Sequence, residues 1–150
     1  MSRFEGTGDA ADALREKWQR VNDATRDVVE EGSFILVDMA KANATVDPHV
    51  VTGLLRGSIS ASEPTSPAPF VWESTVAPRG VVYARIQELG GEIVPRDEAG
   101  YLRFMDLEGK YIYMKSVYIR PHPYLGPADA AFRPIFRDMC EEAWAAAWAG

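Results

Sequence analysis

The first third of the chain repeats apolar and charged positions with the period of an α-helix. From Asp9 to about Ala44, apolar or weakly polar residues recur mostly three or four positions apart, with charged residues between them. These positions are Leu14, Trp18, Val21, Thr25, Val28, Ile35 and Met39. Asp9 suits the start of the helix because its carboxylate can accept backbone N–H bonds there. The pattern predicts one long amphipathic helix.

Two properties of this predicted helix concern its surroundings. Gly32 interrupts the pattern at a cost of about 1 kcal/mol relative to alanine, so we expect a bend or a join between two helices there. A straight helix over residues 9–44 would be roughly 50 Å long, which exceeds what one small core can cover. We therefore expect part of its apolar face to need another chain.

After Pro48 the pattern changes to short segments bounded by turn residues. Residues 52–56 predict one helical turn capped by Thr52, and residues 58–63 and 70–77 predict strands. The proline-rich residues 63–69 predict a loop, because proline has no N–H to donate to a strand ladder.

The next segments predict a short helix and a hairpin. Residues 83–89 fit a helix that Gly90 and Gly91 end, and strands over 101–106 and 110–119 flank a turn at 107–109. In the second strand the tyrosines alternate with aliphatic residues, which predicts one buried face and one amphipathic face. The alternating residues are Tyr111 and Tyr113 against Ile112 and Met114.

Residues 127–148 predict a closing helix with one apolar side, which Pro134 should kink or start. That side carries Phe132, Ile135, Phe136, Met139, Ala143 and Trp144. Together the elements predict a single α+β domain over residues 1–150, with a long helix over 9–44 and a body over 45–150. We expect one antiparallel sheet with an inserted short helix and a hairpin, covered on one face by the stripes of the N-terminal and C-terminal helices.

Composition narrows the classes of function. The hydrophobic content of 47% supports one packed core, and the formal net charge of −6 disfavours an electrostatic grip on nucleic acid. Cys140 is the single cysteine, so no disulfide can form within the chain. No apolar run is long enough for a membrane span, and residues 1–13 do not resemble a secretory signal. We expect synthesis and folding in the cytoplasm.

The residues that could carry chemistry do not form a recognisable catalytic or metal-binding pattern. His49 and His122 are far apart in sequence, and Cys140 falls within the apolar rhythm of the last helix. Paired carboxylates such as Glu30 and Glu31 fit a solvated helix face. Since no glycine-rich phosphate loop is present in the sequence either, we expect no enzymatic activity, no cofactor and no metal.

Three short motifs follow one another in the second part of the chain. The first runs from Thr52 to Ile59 and includes Gly53, Leu55, Arg56 and Ser58. The second comprises Tyr83, Ala84, Glu88 and Gly90, and the third comprises Arg120, Pro121, Pro123, Tyr124, Leu125, Pro127 and Ala128. In this order and spacing they resemble the tail-component family of lambda-like tailed bacteriophages, which is akin to the tail-completion proteins of contractile-tailed phages.

The resemblance implies a structural protein of the virion. Such a subunit would form a ring, with sixfold symmetry expected, at the head–tail junction, between head-closure or connector proteins and the tail tube or tail terminator. DNA would pass through the channel without specific binding, and assembly would take place in the host cytoplasm. A tail terminator or minor tail protein remains an alternative, as does a non-enzymatic regulatory binding module that uses the proline-rich loop or the hairpin.

Contacts between subunits are expected where apolar surface exceeds what a thin sheet can hide. The long helix, the loop over 63–69 and the hairpin are the predicted contact elements. The aromatic candidates are Trp18, Tyr111, Tyr113, Trp144 and Trp148. Within the subunit, the opposite charges of Arg56 and Glu88 predict an ion pair that joins the first two motifs.

Overall fold

The computed structural model describes residues 7–45, 53–96, 100–106 and 108–150. The helices are α1 (Thr7–Asn43), α2 (Leu54–Ser58), α3 (Ala84–Leu89) and α4 (Leu125–Ala149). The strands are β1 (Ile59–Ala61), β2 (Thr65–Ala68), β3 (Val71–Glu73), β4 (Val76–Pro78), β5 (Gly91–Ile93), β6 (Leu102–Met105), β7 (Tyr111–Met114) and β8 (Val117–Ile119). The predicted α+β class is confirmed, with antiparallel strands between a long first helix and a last helix that packs against it.

α1 continues as one helix through Gly32, so the expected join is wrong. A Cβ atom on this glycine would lie 2.8 Å from Cδ2 of Phe136 and 3.0 Å from Cζ of Phe132. The two phenylalanine rings, whose centroids are 5.3 Å apart, therefore pack directly on the α1 backbone. Gly32 is a site of close helix approach, and the absence of a side chain there is what the packing requires.

α1 and α4 form an antiparallel pair that is joined at both ends. The Asn43 side chain donates a hydrogen bond of 3.0 Å to the carbonyl of Tyr124, near the start of α4. The Lys17 ammonium donates one of 2.9 Å to the carbonyl of Trp148, near its end. The expectation that both helices cover one broad sheet is wrong, because α4 packs mainly on α1.

In the described residues the strands form four separate two-stranded antiparallel ribbons, where one sheet was predicted. The ribbons are β1–β4, β2–β3, β5–β8 and β6–β7. The predicted strand over 70–77 is divided into β3 and β4, and the one over 110–119 into β7 and β8. Each half pairs with a different strand, and α1 packs on strands of the β1–β4 and β2–β3 ribbons.

The proline-rich stretch is also a strand in part, which corrects the prediction of a loop over 63–69. Thr65 pairs with Glu73 and Ala68 with Val71, with an irregularity between the two pairs. Pro67 lies inside that irregular stretch, where its missing N–H is tolerated.

The bounds of two helices differ from the predicted ones. α4 begins at Leu125, which places Pro127 in its first turn, and it continues through Pro134 as a single helix. For α2 the N-cap residue is Gly53, in a left-handed conformation with φ of +63°. The predicted cap, Thr52, lies outside the described residues.

The buried core is small and lies where the end of α1 meets β1 and the start of α4. Its members are Val37, Ala40, Ile59, Tyr124 and Ala128. Residues 8–20 of α1, in the half of the helix that lies away from this core, are mostly exposed. Within the described residues, no helix is long and apolar enough to cross a membrane.

Candidate functional site

The second and third motifs meet at the start of α4, where Glu88 acts as the helix cap. Its carboxylate accepts backbone N–H bonds from Tyr124 at 2.8 Å, Leu125 at 2.9 Å and Gly126 at 2.7 Å. The first-turn amides of a helix have no partners within the helix, and a negative charge is favourable there. The N-cap residue, Tyr124, supplies no side-chain cap bond of its own. Glu88 therefore joins α3 to α4.

The predicted ion pair between Arg56 and Glu88 is wrong. Both residues belong to the described part of the chain, and no salt bridge joins them. Arg56 is exposed on α2, while the Glu88 carboxylate is occupied by the three amides. The prediction rested on opposite charges alone, whereas backbone N–H groups supply the partners of this carboxylate.

Two further contacts hold the second and third motifs together. The backbone N–H of His122 donates a bond of 2.7 Å to the carbonyl of Gln87. Gly90, with φ of +67°, lies so close to Pro121 that a Cβ atom would be 2.8 Å from the proline Cδ. This glycine is thus required both by its backbone conformation and by the close approach of the third motif.

The first motif contributes to the same core. Ile59 is buried beside Tyr124 and Ala128, and Leu55 packs against this cluster. The Ser58 hydroxyl donates a bond of 2.7 Å to the carbonyl of Leu55, which closes the turn into β1. The three motifs therefore stabilise the same region of the fold.

The remaining motif residues divide into buried and exposed groups. Ala84 is buried, and Leu125 is partly buried against the core. Tyr83 is 37% exposed. The exposed residues of the third motif are Arg120, Pro121, Pro123 and Pro127.

Burial changes the ionisation of two groups in this region and in α4. Burial, and then the negative charge of Glu88, raise the pKa of the Tyr124 hydroxyl above its usual value. Burial also raises the pKa of the Cys140 thiol, which disfavours the reactive thiolate. Among the described residues, no group of histidine, cysteine and acidic side chains is arranged to hold a metal ion.

The β6–β7 hairpin exposes most of its apolar side chains. Leu102 pairs with Met114 and Phe104 with Ile112, which places these four apolar side chains on one face. Three of them are 39–45% exposed and Leu102 is half-buried. The expectation of a buried face is therefore wrong within the subunit, because the two-stranded ribbon has no layer covering it.

The other face of the hairpin carries both tyrosines that were predicted to make contacts. Tyr111 is 52% and Tyr113 is 61% exposed, and the Arg103 guanidinium lies over the Tyr111 ring at 4.8 Å from its centroid. Met105, which pairs with Tyr111, is 65% exposed. Both faces of this ribbon thus present apolar and aromatic groups to solvent.

The three candidate tryptophans lie together at the other end of the helix pair. Trp18 contacts the rings of Trp148 and Phe70, each at 5.8 Å between centroids. The Trp144 indole donates a bond of 2.9 Å to the Thr25 hydroxyl. Each tryptophan is still nearly half exposed, so packing within the chain covers only part of its surface.

Phe70 was not singled out from the sequence. It is 58% exposed, and its φ of +61° is unusual for a bulky residue. In the sequence, the only indication of a turn here is that Phe70 directly follows the proline-rich residues 63–69.

A surface groove of about 470 Å³ separates the segment 53–58 from the segment 79–83. A hydrogen bond of 3.0 Å from the Arg79 N–H to the Ser58 carbonyl holds the two segments together. Leu54, Val82 and Tyr83 line the groove, and Val82 is 99% exposed. The groove could not be predicted, because its walls come from segments that are separate in the sequence.

Comparison of the chain with protein-family models, with curated proteins and with solved structures gives no match. The likeness of the three motifs to the phage tail-component family thus stands as a resemblance between sequence motifs.

Proposed function

We propose that this chain is a structural subunit of a tailed phage, which forms a ring at the head–tail junction and leaves a channel for DNA. The β6–β7 hairpin is the observation that carries the assembly role. It exposes apolar groups on both faces, and exposed apolar patches of this kind typically mark contacts with other proteins.

The motifs support the link to phage tails. Their order and spacing resemble those of the tail-component family, and their contacts in this chain give them a shared structural purpose around Glu88 and Ile59.

The charge of the chain agrees with the proposed channel. A net charge of −6 in each copy would repel the DNA backbone, so a ring of these subunits would let the genome pass without adhering. The ring would form in the host cytoplasm during assembly and remain in the virion, next to head-closure and tail proteins.

The test replaces both hairpin tyrosines in the phage that encodes the chain. Tyr111→Ser with Tyr113→Ser should leave the subunit folded, because both side chains are exposed. Loss of one aromatic side chain at the energetic centre of an interface costs about 2 kcal/mol, which alone would weaken the association by roughly 30-fold, and loss of both side chains should weaken it further. Electron microscopy of lysates should then reveal separate heads and tails.

Tyr118→Ser provides the matched control, because Tyr118 is 69% exposed on β8, outside the hairpin. This variant should yield joined, infectious particles. Normal joining by the double variant would contradict the role of the hairpin. Absence of the chain from purified virions would contradict the proposed function as a whole.

A further inference from the structure

The tip of the β6–β7 hairpin presents the exposed carboxylate of Glu108 beside the exposed ammonium of Lys110. Oδ1 of Asp106 accepts the backbone N–H of Glu108 at 2.9 Å and of Lys110 at 2.8 Å. The Asp106 carboxylate is therefore engaged in holding the turn, while Glu108 is exposed. Directly behind the turn, the pair Met105 and Tyr111 supplies exposed apolar surface.

Exposed apolar side chains also line the groove between 53–58 and 79–83. Its apolar lining includes Leu54, which is 61% exposed, and the almost wholly exposed Val82. Arg79 also lines it, and exposed Arg56 and Arg85 lie on the helices α2 and α3 that adjoin its two walls. The groove thus combines apolar surface with a basic border.

We propose that the hairpin tip of one copy of this chain docks into the groove of the next copy, with Glu108 facing Arg79 and with Met105 and Tyr111 against Val82. The charge of Glu108 is opposite to that of Arg79, and the apolar groups of the hairpin match the apolar lining of the groove. Within one chain Glu108 and Val82 are both exposed, so the tip does not fill the groove of its own subunit.

This contact rests on the proposed ring and specifies how it is built. The two surfaces lie on different parts of the chain, so the contact is head-to-tail, and each subunit donates one tip and receives another. Such an interface forms a closed ring when the rotation between neighbours closes, and each copy then has both surfaces occupied. A contact between two identical hairpins would stop at a dimer.

A charge exchange tests the pairing. In the purified full chain at low salt, Glu108→Arg alone and Arg79→Glu alone should each weaken self-association at least about tenfold, as measured by analytical ultracentrifugation. The chain that carries both changes should recover most of the loss. Glu141→Arg, at an exposed position on α4, changes the net charge by the same amount as Glu108→Arg and should leave association unchanged.

Circular dichroism checks that each variant is folded. A double variant as weak as the two single effects combined would overturn the contact, as would unchanged association in either single variant. In both cases the ring could still form through other surfaces, so the proposed function would stand. A wild-type chain that stays monomeric at its highest soluble concentration would also overturn the contact, whereas its absence from virions would overturn the proposed function.

Cysteine crosslinking identifies the occupant of the groove. In a Cys140→Ser background, the chain with both Val82→Cys and Glu108→Cys should give a ladder of disulfide-linked multimers on oxidation. Either cysteine alone should give no ladder. A crosslinked monomer would place the tip in its own groove, and dimers from Glu108→Cys alone would indicate contact between hairpins; either result would overturn the proposal.

Discussion

Replacing Glu88 with alanine is expected to destabilise the chain strongly, because one side chain caps the whole start of α4. The change removes three N–H···O bonds of 2.7–2.9 Å together with a negative charge at a helix N-terminus. Loss of a cap costs about 1 kcal/mol, and the charge at the helix end adds roughly 0.3–1 kcal/mol. The stranded N–H of buried Tyr124 adds about 1–3 kcal/mol.

The expected decrease in the free energy of unfolding is therefore about 2–4 kcal/mol, since water can reach the exposed amide of Gly126 and reduce the loss. Glu88→Gln keeps the shape but turns an NH₂ group toward the amides, so about 1–2 kcal/mol is expected. Urea unfolding followed by far-ultraviolet circular dichroism measures both values.

Glu92→Ala is the control, because Glu92 is an exposed glutamate on the nearby strand β5. Its effect should stay within about 0.5 kcal/mol. If Glu88→Ala were no more destabilising than Glu92→Ala, the capping argument would be refuted.

Two further predictions concern the helix pair and the core. Gly32→Val should lower the free energy of unfolding by about 1–3 kcal/mol more than Gly8→Val, because a Cβ would meet Phe136 at position 32 and nothing within 4 Å at position 8; equal effects in urea unfolding would refute this packing. The raised pKa of Tyr124 means that the folded chain holds this proton more tightly than the unfolded chain, so stability should fall as the pH rises above the usual tyrosine pKa. Tyr124→Phe should show less of this alkaline loss in pH-dependent thermal unfolding, and an unchanged alkaline slope would contradict the assignment.

Elements with a strong local pattern could be predicted from the sequence. The helical spacing around Val28 and Phe132 identified α1 and α4, and alternation with a glycine turn identified the β6–β7 hairpin. Such patterns arise because a helix or strand must place its apolar side chains on one side, and this requirement acts over a few residues.

The pairing of the strands and the burial of their faces could not be predicted, because both depend on residues far apart in the chain. The alternation of Ile112 and Met114 with the tyrosines indicates that the two faces differ, and it contains no information about whether a layer covers either face. Likewise, the strand break after Glu73 changes the partner from β2 to β1. A single predicted sheet thus became four ribbons.

For the candidate site, the motif residues could be located but their contacts could not. The partner of Glu88 was sought among basic side chains, whereas the amides at Tyr124 and the following residues bind it. A usable signal was present: the residues just before α4 include no serine, threonine, aspartate or asparagine to cap it. When no local side chain caps a helix, its first N–H groups need a hydrogen-bond acceptor from another part of the chain.

The antiparallel helix pair also determines how the chain can fold. The bond between Asn43 and Tyr124 closes 81 positions of chain, whereas the bond between Lys17 and Trp148 spans 131. Forming either contact first requires closing a long loop, and the entropy cost rises with loop length. Once the shorter loop is closed beside the core, each later contact needs only one further turn of α1 and one further turn of α4 to come together. The contacts between α1 and α4 should therefore form in order, starting at Asn43 and ending with the contacts of the tryptophans.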